Sequence, residues 1–101
     1  MRIGLKEIEK YAQKIKKRFN PQKIILFGSY AYGKPTVNSD VDLFIIMDTK
    51  QRSIHQAVFI RKELPSPFPL DLIVKTPQEV KKRIKEGDFF LKTVIQEGKE
   101  L

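Results

Sequence analysis

From Val41 to Met47 the chain reads Val-Asp-Leu-Phe-Ile-Ile-Met, apolar at every position after Asp42. A strand with one face in water alternates apolar and polar residues, so a run without alternation belongs at the centre of a sheet. That requirement sets the frame for the rest. Two further runs of strand length are present, Lys23-Ile-Ile-Leu-Phe27, closed by Gly28, and Leu70-Asp-Leu-Ile-Val74. Helical spacing fills the segments between and around them. Ile8, Ala12, Ile15 and Phe19 recur every three or four residues within 3–19, and Asn20-Pro21 ends that helix.

Residues 28–39 form a turn-rich connector with room for one helical turn at 29–32. A second helix is expected over 51–64, its apolar spacing carried by Ile54, Val58 and Leu64 with Ala57 beside them. Pro65-Ser-Pro-Phe-Pro69 excludes helix and paired strand alike. Thr76, Pro77 and Glu79 then spell a helix start, and a last helix is expected from about Asp88 to Glu97. The expected fold is a mixed α/β (α+β) layer structure, a sheet of about three to four strands packed against helices.

With 101 residues, no repeat and no dividing linker, 1–101 is read as one domain. The absence of cysteine excludes disulfides, thiolate zinc sites and cysteine nucleophiles, and the single histidine, His55, makes no metal cluster. The opening MRIGLKEIEK lacks the apolar core of a signal peptide, and no run approaches the about 20 residues of a membrane span. The expected location is the cytoplasm, with no membrane partner. A net charge of +8 points either to anionic partners or to a lysine-rich solvated surface. The clusters at 14–18 and 81–85 read first as solvated helix faces, and direct nucleic-acid binding is the lesser reading.

Chemistry concentrates in Gly28-Ser29, followed after ten residues by Asp40-Val41-Asp42. At ordinary residue frequencies this four-residue pattern arises by chance in roughly one such chain per thousand. Gly28 ends a strand where the backbone must turn and a Cβ would obstruct the approach of a phosphate. Ser29 adds a hydroxyl where the first amides of a helical turn lack partners. Asp40 and Asp42, two apart on a strand, face the same way about 7 Å from each other. Asp71 opens another strand, and neighbouring strands lie about 5 Å apart. Three carboxylates that close repel one another, and divalent metal relieves the repulsion; oxygen-only ligands select magnesium, or manganese, over zinc. Two such ions can serve an in-line phosphoryl displacement.

At these residues the chain resembles the minimal nucleotidyltransferases of the DNA polymerase β-like superfamily. The likeness runs through GSYAYGKPTVNSDVDLFIIMD at 28–48 and PLDLIV at 69–74, and the element order fits nearly the whole chain. The resemblance implies the nucleotidyltransferase fold, with Gly28 and Ser29 holding the triphosphate of ATP and Ser39 a further nucleotide contact. It also implies Asp40, Asp42 and Asp71 as the catalytic carboxylates binding Mg2+, Asp71 helping to activate the acceptor hydroxyl. Chains of this kind typically pair with a HEPN-domain ribonuclease toxin. The implied activity is protein adenylylation, the transfer of AMP to a tyrosine of that toxin. The competing reading is a non-catalytic module that neutralises the toxin by contact alone. An enzyme modifying RNA or an antibiotic is a third, and such relatives carry an acceptor-binding domain that this sequence does not contain.

Overall fold

The computed structural model describes residues 3–101. In chain order the elements are α1 (Leu5–Phe19), β1 (Lys23–Phe27), α2 (Ser29–Tyr32), β2 (Val41–Ile46), α3 (Ser53–Glu63), β3 (Leu70–Lys75), α4 (Pro77–Lys85), α5 (Phe89–Glu97) and β4 (Lys99–Glu100). The four strands form one mixed sheet in the order β3-β2-β1-β4. β1 runs antiparallel to β2 and to β4, whereas β2 and β3 are parallel. A parallel pair needs a crossover, and α3 supplies it.

β2 is buried on both faces, as its unbroken apolar run requires. Its alternate residues enter two separate cores. Val41, Leu43 and Ile45 pack with Ile24 and Leu26 of β1, Leu72 and Val74 of β3, Ile8 and Ile15 of α1, and Ile60 of α3. Phe44 and Ile46 pack on the opposite face with Ile25 and Phe27 of β1, Val80 of α4, and Leu91 and Val94 of α5. Since strand residues two apart share a face, Asp42 and Asp71 lie on the second face, the one that α4 and α5 partly cover.

Helix ends follow the local chemistry. Asn20 takes the left-handed conformation (φ 49°) that closes α1, and its N–H donates to the Lys16 carbonyl at 3.0 Å. Thr76 caps α4 by accepting from Glu79 N–H at 3.1 Å, and the Glu79 carboxylate accepts from Thr76 N–H at 2.9 Å. Glu79 also accepts from the Ser53 hydroxyl, joining the starts of α3 and α4. These hydrogen bonds, Ser53 foremost, hold the Glu79 carboxyl below its usual range. Asp88 caps α5 through Leu91 N–H at 3.0 Å. The lysine clusters include Lys16, Lys17 and Arg18 in the last turn of α1, and Lys82, Arg83 and Lys85 in that of α4, where cations complement the helix dipole. No helix of the described residues is long and apolar enough to cross a membrane.

One expectation needs correcting. The helix over 51–64 is present, but its buried face carries Ser53, Gln56, Ala57 and Ile60, while Ile54 and Val58 are 67% and 60% exposed. Apolar residues are distributed around this helix, so Ala57 and Leu64 of the expected set meet the core while Ile54 and Val58 do not. The fourth strand brings the sheet to the upper end of the expected three to four, as a two-residue edge paired to Ile25 and Leu26 that no apolar run marks in the sequence. Leu101 N–H extends it by donating to the Ile24 carbonyl at 2.8 Å.

Tyr30 leans from α2 onto the first core, and its hydroxyl is buried without a hydrogen-bond partner. A buried unpaired hydroxyl costs about 1–3 kcal/mol. Tyr30→Phe is therefore expected to keep or raise the melting temperature. A drop of several degrees in a thermal melt would mean that the hydroxyl has a partner after all.

Candidate functional site

The site lies at one end of the sheet, where β1 ends and β2 and β3 begin. Register brings its parts together: Phe27 faces Asp42 across the antiparallel pair, and Asp42 faces Asp71 across the parallel pair. Asp40 sits one residue before β2 and is exposed, as is Asp71, while Asp42 is half-buried between them. The starts of β2 and β3 are tied by Val41 N–H donating to the Pro69 carbonyl at 2.9 Å. Arg61 of α3 donates to the Leu70 carbonyl and so anchors the residue before Asp71. No feature of spacing marks Arg61 for this task; only the folded crossover brings it there.

Gly28 joins β1 to α2 with φ 75° and ψ −158°, a region essentially confined to glycine. A Cβ built there would lie 2.0 Å from Asp42 Oδ2. Glycine is thus required for a second reason besides room for a phosphate: the Asp42 carboxylate occupies the space that any side chain would take. Its carbonyl accepts from Ala31 N–H at 3.0 Å and Tyr32 N–H at 3.1 Å, winding the single turn of α2 that Ser29 opens.

Asp42 is electrostatically uncomfortable. Its carboxyl is raised from 3.8 to about 6, first by burial and then by the charges of Asp71 and Asp40. The three carboxylates proposed from the sequence therefore do sense one another. They are not drawn into a closed cage, since among the described residues no three acidic, histidine or cysteine groups form a ready-made metal cluster. Negative charge held open towards solvent by oxygen donors alone suits a hard divalent cation.

Ser39 behaves differently from the others. Its hydroxyl accepts from Thr36 N–H at 2.8 Å and lies 3.3 Å from Thr36 Oγ1, so it shapes the loop before Asp40. Tyr30 packs inward and Tyr32 is exposed beside the turn. His55 is exposed on α3.

No curated protein matches the chain. Among solved structures it resembles a Sulfolobus solfataricus protein assigned as a nucleotidyltransferase, with a TM-score of 0.61 and 20% identity. The match covers 77% of this chain and 71% of that one, and at this identity it speaks for the fold. The sequence evidence is more extensive: the family model described as the nucleotidyltransferase domain matches residues 8–99. With that match spanning β1 to β3, the glycine turn and all three aspartates, the chain belongs to the nucleotidyltransferase domain family.

Proposed function

We propose that this domain transfers AMP from ATP to a protein hydroxyl, a tyrosine of a HEPN-type toxin, and so acts as that toxin's antitoxin. The observation that carries the enzymatic part is Asp42: a half-buried carboxylate set between Asp40 and Asp71 and pressed against a glycine of positive φ. A module that worked by contact alone has no use for such mutual repulsion. The tyrosine acceptor and the toxin partner rest on the family resemblance. The +8 charge of the chain would suit an acidic partner surface.

Asp40, Asp42 and Asp71 would hold magnesium, whose donor requirements they fit as oxygen-only ligands. When bound, the metal supplies neutralising charge to the phosphates. The chain's own residues do the rest. The Gly28–Ser29 turn holds the β- and γ-phosphates, fixing the triphosphate so that the α-phosphorus faces the acceptor in line with the departing pyrophosphate. The tyrosine oxygen forms the new bond to the α-phosphorus as the bond to pyrophosphate breaks. Asp71, exposed at the rim, takes the phenolic proton.

Incubating the purified pair with magnesium–ATP is expected to add about 329 Da, one AMP moiety or a multiple of it, to the partner. The Asp40→Ala, Asp42→Ala double variant is expected to add nothing and to leave the toxin active. Neutralisation by that variant as good as by wild type would establish the competing reading, protection by contact.

A further inference from the structure

One aromatic surface beside the carboxylates is unaccounted for by phosphate chemistry. Phe27, the last residue of β1, lies directly across from Asp42 and on the same face of the sheet. Phe90, in the first turn of α5, meets the Phe27 ring edge to face at 5.6 Å between centroids. Phe27 is buried, whereas Phe90 is 48% exposed. Isolated exposed apolar residues are ordinary on protein surfaces, so exposure decides nothing here. Position and restraint decide. Phe90 stands one strand spacing (about 5 Å) and one ring contact away from Asp42. Its place is set by the Asp88 cap of α5 below and by Phe27 behind. Phe89, at 81% exposure, makes no ring contact among the described residues and is not fixed in this way.

We infer that Phe90, backed by Phe27, is the wall on which the nucleobase of the bound nucleoside triphosphate stacks. The inference rests on the reading of the site proposed above, and it adds how the base end of the substrate is held. With the triphosphate on the Gly28–Ser29 turn and its α-phosphate at Asp42, the nucleoside has two directions open to it. Towards β3 it meets the exposed side chain of Asp71, which offers a base no aromatic face. Towards α5 it meets Phe90, a half-exposed ring held against Phe27. Stacking on a ring is open to any base, because every base has a π-face. The edge-to-face contact with Phe27 leaves that ring oriented before the ligand arrives, so little side-chain freedom is lost on binding.

The test compares two ligands that share phosphates and differ in the base. Calorimetric titration with magnesium–ATP and with magnesium–tripolyphosphate is run on wild type, Phe90→Leu and Phe90→Tyr. Leucine keeps an apolar cover over Phe27, so the fold is retained, while the stacking face is lost. Phe90→Leu is expected to weaken ATP about tenfold, within the range of a single base–aromatic stack, with tripolyphosphate unchanged. Phe90→Tyr is expected to bind ATP as wild type does. ATP bound equally well by Phe90→Leu and wild type would overturn the inference, as would equal weakening of both ligands. If wild type itself binds neither ligand, the nucleotide site proposed above falls, and the wall falls with it.

Discussion

Asp42→Asn is expected to stop nucleotidyl transfer and, in the absence of metal, to make the protein more stable above pH 6. The two effects share a cause. Burial and the charges of Asp71 and Asp40 raise the Asp42 carboxyl from 3.8 to about 6, so the folded state holds its proton more tightly than the unfolded chain does. A group raised in this way contributes stability that is complete below its unfolded value and is lost as pH rises through its folded one. The loss therefore falls between about pH 4 and pH 6. The full shift corresponds to roughly 3 kcal/mol, but the carboxylate is partly open to water, and screening leaves about 1 kcal/mol. For a domain of this size that is about 4–8 °C in melting temperature. Melts of the wild type and Asp42→Asn with chelator present should coincide near pH 3.5 and diverge by pH 7, the variant melting higher. Parallel pH profiles would remove the repulsion from the account. In transfer assays the variant is expected to lose at least about a hundredfold, as when one electrostatic partner of a transition state is deleted.

Gly28→Ala is expected to damage both the fold and the site, and to do so through Asp42. The backbone at φ 75° and ψ −158° is strained for alanine by about 1–3 kcal/mol. The new methyl would also fall 2.0 Å from Asp42 Oδ2 and 3.0 Å from its Cγ, so the carboxylate must swing out of the site. Transfer should fall as far as in Asp42→Asn. The two causes separate in a double-mutant cycle. In an Asp42→Ala background the carboxylate is gone, leaving the backbone strain and a milder 3.3 Å approach to the Cβ of residue 42, so Gly28→Ala should be less destabilising there by about 0.5–3 kcal/mol. Strict additivity in denaturant unfolding would show that the methyl and the carboxylate never compete for space.

The site was legible because its residues combine a composition signal with a strand signal. Gly28 and Asp42 stand at opposite sides of one strand pair, and Asp71 occupies the third apolar run at the register position beside Asp42. An apolar run that lacks alternation is hard to place anywhere except between two strands, so β2 located the rest. What the sequence did not reveal depends on contacts between distant segments. Ala57 and Ile60 face the core because α3 lies along β3, and nothing in its own spacing outweighs the exposed Ile54 and Val58. A strand of two residues, Lys99 and Glu100, has no periodicity to read; it exists because β1 offers a free edge. Ser39 matched a pattern for nucleotide contact, yet its hydroxyl is engaged within its own loop. Phe90 reads as one more apolar residue of a helix until Phe27 is seen behind it.

The parallel pairing of β2 with β3 also bears on how the protein reaches its native state. Asp42 and Asp71 are brought side by side only after α3 has carried the chain across and β3 has docked in register. The antiparallel pair of β1 and β2 is joined through 28–40 and needs none of this, whereas the crossover joins residues further apart in sequence, and such contacts form more slowly. The same step must push two carboxylates together, so charge opposes the chain at the moment when the least local part of the sheet assembles. A half-folded chain therefore has its glycine turn but not its three carboxylates. Transfer activity, where it is measured, reports on chains that have completed the crossover and on no others.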